Sequence, residues 1–199
     1  MPSINIEQEI KKFFSEDFEY LLIICPFISL KGLKKIFSFI KKKEGKKINI
    51  VTRWRKLDII SGVSDIEIYP YLKKYNINLY HHNSIHMKIF IKNKKEFLFG
   101  SANITEAGLG ISKYPNDEVI GFESLEEKFY KKFENIHRKS LIIDDKYYSE
   151  MKKLKEENKL ITEEIKNIKN DDKKLSEIWN FLTKANALDK DKFIKKYFT

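Results

Sequence analysis

At 199 residues, 42% of them hydrophobic and 34% charged, the chain has the composition of a soluble globular protein and the length of one domain plus an appendage. Lysine and arginine outnumber aspartate and glutamate 39 to 29, and the formal charge of +10 predicts attraction to polyanions without choosing among DNA, RNA and anionic lipid. The single cysteine, Cys25, excludes an intrachain disulfide, no apolar run is long enough to span a bilayer and the first residues do not read as a secretory signal, so a cytoplasmic protein with no membrane association is expected.

Residues 4–18 predict an amphipathic helix with Ile6, Ile10, Phe13 and Phe14 near one face, laid over a sheet. Residues 20–26 form an almost continuous apolar run, the pattern of a strand buried on both faces, and Pro26 stops its ladder. Ser29 is placed to cap a second helix with Leu33, Phe37 and Ile40 inward, closed by Gly45. Lys31, Lys34, Lys35, Lys41, Lys42, Lys43, Lys46 and Lys47 crowd its other face and the following turn, which reads equally as a solvated face or a nucleic-acid surface.

A second strand over 48–54 ends in Thr52, Arg53, Trp54 and Arg55. At the ligand-binding end of a parallel strand, Arg53 or Arg55 would clamp a phosphate and Trp54 would stack on a base; the alternative is a core Trp54 beside surface ion pairs. Residues 58–74 predict two short helices around a Gly-Val-Ser turn, with Pro70 kinking or delaying the second, and 77–80 a third strand. This alternation argues for βαβ units in an α/β fold. His81 and His82 follow. Adjacent strand histidines point to opposite faces and no acidic or thiol ligand joins them at metal spacing, so they are expected to line a cleft mouth, with no metal and no cofactor.

Residues 85–93 read as a strand placing His86, Lys88, Phe90 and Lys92 on one face and Met87, Ile89 and Ile91 on the other. A second apolar run, Phe97 to Phe99, ends in Gly100, Ser101, Ala102 and Asn103, with Gly100 expected to let the backbone bend. An imidazole, an ammonium, a hydroxyl and a carboxamide at the same ends of two adjacent strands make an oxyanion cage. Residues 118–122 predict another strand. Ser124 and Glu127 resemble a capping box for a helix with Phe129, Phe133 and Ile136 on one face, and 141–143 a short strand or linker. From Tyr148 the spacing of Met151, Leu154, Asn158, Ile161, Ile165 and Ile168 is that of a heptad seam, with Asn158 at an a position, which either associates with another chain or packs back on its own domain. Two more amphipathic helices are expected over 175–182 and 191–198.

The pattern His86-x-Lys88 followed by Gly100-Ser101-x-Asn103 resembles the HKD signature of the phospholipase D superfamily, and Thr105 fits the residue often found after it. LLIICPFISLKGL, INIVTRW and NDEVIGFE extend the resemblance to the single-motif, nuclease-like branch across about two thirds of the chain. One position departs: Asn93 stands where the signature has an aspartate. The resemblance implies a mixed sheet flanked by helices on both faces in residues 1–145, with 146–199 as a helical extension. It also implies a phosphohistidine mechanism. His86 is the nucleophile or acid/base, Lys88 and Asn103 neutralise nonbridging oxygens, Ser101 donates a hydrogen bond, and Glu118, or its neighbour Asp117, orients the imidazole; Arg53, Arg55, Trp54 and His82 are placed toward the substrate by their strand-end positions alone. Such a mechanism needs a second histidine for proton transfer. A homodimer supplies it from an identical motif; His81, His82 or His137 is the intrachain substitute, and an inactive protein is the remaining case. A metal-independent nuclease, with DNA ahead of RNA, is the reading favoured. Its rivals are a phospholipid phosphodiesterase of the same fold and a non-catalytic nucleic-acid-binding or assembly module whose helical tail holds a further protein partner.

Overall fold

The computed structural model describes residues 5–159 and residue 163. In chain order its elements are α1 (Ile6–Phe13), β1 (Tyr20–Ile24), α2 (Leu30–Ser38), β2 (Lys47–Thr52), α3 (Lys56–Ile60), α4 (Ile68–Lys73), β3 (Asn78–His81), β4 (Lys88–Lys92), β5 (Glu96–Gly100), β6 (Ile120–Ser124), α5 (Glu127–Lys139), β7 (Leu141–Ile142) and α6 (Asp145–Glu157). The strands form one seven-stranded sheet in the order β6-β5-β4-β1-β2-β3-β7. β1, β2 and β3 are parallel, as the βαβ alternation predicts; β4, β5 and β6 form an antiparallel meander against β1, and β7 pairs antiparallel with β3.

β1 is central because its sequence, YLLII, tolerates burial on both faces: Leu21 to Ile24 are fully buried. Side-chain alternation then divides the core. Leu21 and Ile23, with Ile50, Leu79, Phe90 and Leu98, pack beneath Ile10 and Phe13 of α1, Leu33, Ile36 and Phe37 of α2, and Leu72 of α4. Leu22, Ile24, Val51, Ile89 and Ile91 face the other way, toward Tyr130, Phe133 and Ile136 of α5. The fold is therefore a mixed α/β sheet with helices on both faces, as expected.

Local chemistry sets the helix starts. The side chain of Asn5 caps α1 by accepting from Gln8 N at 3.0 Å, and Ser29 Oγ caps α2 by accepting from Gly32 N at 3.0 Å. Pro70 sits in the first turn of α4, where its missing N–H costs nothing. α2 ends at Ser38, so Gly45 instead serves the turn into β2 with φ of 79°. Ser124 closes β6, and α5 starts after Glu126 without a side-chain cap, so the capping box is not formed. Its inward face carries Tyr130 rather than Phe129, which is 45% exposed. β4 begins only at Lys88, leaving His86 in the loop before it.

Tyr147, Tyr148, Met151 and Leu154 of α6 pack against the core, so the described start of the heptad pattern folds back on the α/β body. Asn158 ends that helix, its Nδ2 donating to Leu154 O at 2.8 Å. Ile161, Ile165, Ile168 and the helices expected over 175–182 and 191–198 lie outside the described residues. No helix among the described residues is long and apolar enough to cross a membrane.

Candidate active site

Antiparallel pairing of β4 with β5 sets Lys88, the first residue of one strand, opposite Gly100, the last of the other. His86 and Ser101 are thereby carried to the same edge of the sheet, where β1 and β2 also end. Gly100 is required by close approach rather than by a bend: a Cβ there would lie 2.2 Å from Val119 O. The loop after β5 is held in the same way, since a Cβ on Gly108 would lie 2.4 Å from Asn103 O.

Lys88 is only 8% exposed and lies on the face that carries Phe90 and Leu98. Its Nζ donates to His86 O at 2.8 Å and lies 3.4 Å from His86 Nε2. Among the described residues no carboxylate pairs with it, so this ammonium is desolvated without a fixed counterion, an arrangement that favours an anion from outside. The His86 ring is exposed. Cys25, fully buried behind the site, accepts from Ile104 N at 3.4 Å and lies 3.9 Å from Asn103 Oδ1. Burial pushes its thiol up to about 11, so it is neutral packing beneath the Asn103 loop and no nucleophile. The sequence marks Cys25 only by its apolar setting.

Ser101 Oγ donates a short hydrogen bond to Glu118 Oε2 and accepts from Val119 N at 3.1 Å. Asn116 Nδ2 donates to the other carboxylate oxygen of Glu118 at 3.0 Å. The expectation that Glu118 orients the imidazole is thus corrected for the single chain: among the described residues Glu118 makes no hydrogen bond to His86 and instead fixes the Ser101 hydroxyl. Asn116 is a site residue the sequence reading missed. Its signal was its place two residues before the acid. Asp117 is exposed.

Trp54 is fully buried in the core beneath α6, so of the two readings open to it the core one holds and packing excludes base stacking. Arg53 and Arg55 converge on Asp58, whose carboxylate takes Arg53 Nε at 2.9 Å and Nη2 at 3.0 Å, and Arg55 Nε at 3.0 Å. Burial raises the Asp58 carboxyl, but the two guanidiniums outweigh it and hold the group below its ordinary value. The arginines lie at the sheet edge that bears His86, engaged with each other's counterion. Several lysines of the α2 region are likewise paired: Lys31 with Glu106 at 3.6 Å, Lys35 with Glu7 at 2.8 Å and Lys46 with Asp17.

The remaining histidines separate clearly. His81 is buried, its Nδ1 accepting from Trp54 N at 2.9 Å and its Nε2 2.9 Å from Asn83 Oδ1, and burial lowers its pKa. That ring is committed to the fold. His137 stacks edge-on to Tyr80 at 4.5 Å and lines a cavity at the far edge of the sheet. His82, half-buried, accepts from Ser84 N at 3.2 Å. Among the described residues no three His, Cys, Asp or Glu side chains group where a metal ion would be held.

A parallel three-stranded half joined to an antiparallel meander is a fold this chain shares with solved phospholipase D-like structures. A phospholipase D family member, Nuc from Salmonella typhimurium, superposes with a TM-score of 0.53 at 16% identity over 69% of this chain and 90% of its own. NucT from Helicobacter pylori gives 0.51 at 16% identity over 69% and 91%. The phosphatidylserine synthase of Haemophilus influenzae gives 0.54 at 14% identity, covering 83% of this chain but 42% of the synthase. No protein-family model matches the sequence, and no curated protein sequence matches it.

Proposed function

We propose that the protein is a phosphodiesterase, a nuclease acting on DNA through a phosphohistidine, with its active site completed across a homodimer. The observation that carries this reading is Lys88: a buried ammonium without a carboxylate, 3.4 Å from the exposed His86 imidazole, is a seat for a phosphate oxygen beside a nucleophile. The net charge of +10 favours a polyanionic substrate.

In the first step a ring nitrogen of His86 attacks phosphorus and the bond to the leaving oxygen breaks, that oxygen taking a proton from His86 of a second copy. In the second step water gives its proton back to that imidazole and attacks phosphorus, and the P–N bond breaks to release the phosphate monoester. Lys88 and Asn103 offset charge on the nonbridging oxygens, and Ser101 donates to the phosphate when its hydroxyl proton turns away from Glu118. Within the chain His81 is satisfied and His137 lies at the far edge, which leaves His82, whose Nδ1 accepts from Ser84 N, as the intrachain rival to a second copy; we favour the second copy because it brings an identical motif.

The test is cleavage of duplex DNA, single-stranded DNA, RNA and phospholipid vesicles in EDTA, with His86→Ala alongside. DNA cleavage in chelator that vanishes in the variant is expected. Cleavage surviving in His86→Ala, or an active protein that sediments as a monomer, overturns the reading; turnover of vesicles alone replaces the nuclease with a lipid phosphodiesterase.

A further inference from the structure

Between the first residues of β1 and β2 and the second half of α5 lies a cavity of about 670 Å³, within the size range of small-molecule sites. It opens at the sheet edge opposite His86, a separation of roughly 16 Å for a five-residue strand at about 3.3 Å per residue. Asn49 lines it from the centre of the sheet. This side chain is 3% exposed, and its buried Nδ2 has no hydrogen-bond partner among the described residues. An unpaired buried donor costs about 1–3 kcal/mol, and nothing in the packing of β2 calls for an amide where its neighbours are Ile and Val. The position is explained by a ligand that pairs with it.

The rest of the lining narrows the ligand. Tyr20 and Tyr130 give aromatic walls, meeting edge to face at 6.5 Å. Lys94 Nζ stands over both rings, 5.7 Å and 5.6 Å from their centroids, and Lys47 and Arg138 add two more exposed cations at the rim. Two carboxylates also line the cavity: Glu134, which accepts from Tyr130 Oη at 3.0 Å, and the exposed Glu19, so cations outnumber acids there by three to two. Burial and nearby Lys47 lower the His137 pKa, which favours the neutral ring. A carboxamide offers the paired donor and acceptor that match a base edge, tyrosines give sequence-tolerant aromatic surface, and a trio of cations suits a phosphate.

We infer that this cavity is a second ligand site, distinct from the catalytic edge, that binds a mononucleotide: its base against Asn49 and the tyrosines, its phosphate among Lys47, Lys94 and Arg138. The inference is independent of the proposed catalysis, because none of these residues serves the His86 site.

Calorimetric titration of the full chain with AMP, GMP, CMP, UMP, adenosine and inorganic phosphate tests it, repeated with Asn49→Leu, Arg138→Ala and His86→Ala. The expected result is saturable binding of at least one mononucleotide, weakened tenfold or more by Arg138→Ala and by Asn49→Leu and unchanged by His86→Ala. Arg138 is exposed, so its variant reads the site even if Asn49→Leu folds poorly. Absence of saturable binding, binding indifferent to Arg138→Ala, loss in His86→Ala, or inorganic phosphate or adenosine binding as tightly as every mononucleotide would each overturn it.

Discussion

Asn93 ties the β4–β5 turn to the start of β1 through Tyr20: its N–H donates to Tyr20 O at 2.9 Å while its Oδ1 accepts from Tyr20 N at 3.3 Å and from Glu19 N at 3.0 Å. This answers what the departure from aspartate does. The position needs a short acceptor on a residue that accepts φ of 51°, and asparagine meets both needs. Asn93→Asp keeps the acceptor and is expected to change stability by no more than about 0.5 kcal/mol. Asn93→Ala abandons two N–H groups at the sheet edge and is expected to cost about 1–2 kcal/mol. Urea denaturation measures both, and activity per folded molecule should be unaltered, because this turn is at the far end of β4 from Lys88.

Lys88 sets stability against function. A desolvated ammonium without an anion weakens the folded state, so Lys88→Met, which keeps the volume and removes the charge, is expected to hold or raise the melting temperature, by about 2–4 °C for each kcal/mol gained. On the proposed mechanism the same change removes the charge that faces the phosphate and should lower cleavage at least about a hundredfold. A melting curve beside a cleavage assay checks the pair; a variant that is both destabilised and active would show that Lys88 is a structural residue.

What could be read from the chain followed from local rules. The apolar run of β1, the Ser29 cap and the alternation that puts Lys88 with Phe90 and Lys92 each depend on neighbours a few residues away. Contacts across the sheet were not legible. From the sequence Trp54 reads either as a base-stacking strand end or as core, and α6, almost a hundred residues later, decides for the core by supplying Tyr147, whose hydroxyl reaches Trp54 O at 3.4 Å. Phe129 and Tyr130 differ by one helical step, and only the position of α5 over β1 decides which turns inward. The partner of Glu118 depends on how the 104–117 loop returns beside β5, and its preference for Ser101 follows from the Gly100–Val119 approach.

On the proposed mechanism Ser101 has a structural duty and a catalytic one. Ser101→Ala leaves Val119 N without its acceptor and Glu118 with Asn116 as its remaining side-chain donor. A loss of about 1 kcal/mol in stability is expected, and the proposed mechanism adds a tenfold or greater fall in kcat. Glu118→Gln can still accept from Ser101 through its amide oxygen, so it should keep most of the stability. Comparing the two variants by thermal melting and by cleavage rates separates the hydroxyl's structural bond from its contact with substrate.

The Arg53–Asp58–Arg55 cluster should make the protein acid-sensitive in a defined window. The Asp58 side chain is 6% exposed and its carboxyl is held below the ordinary value, so the folded state binds fewer protons there than the unfolded chain. Its contribution is therefore fully present above the unfolded pKa near 3.8 and is lost as pH falls through the lower folded value. Asp58→Asn removes the contribution at every pH. It is expected to cost about 1–2 kcal/mol at pH 7, discounted for the solvent around Arg55, and the gap between parent and variant should close as the pH is taken below about 4. Urea midpoints measured from pH 7 to pH 3 give the answer directly: a gap that stays constant across that range would mean that the cluster is held by packing of the two arginines, with Arg53 lying over the Phe27 ring at 4.6 Å, and not by the charge of Asp58.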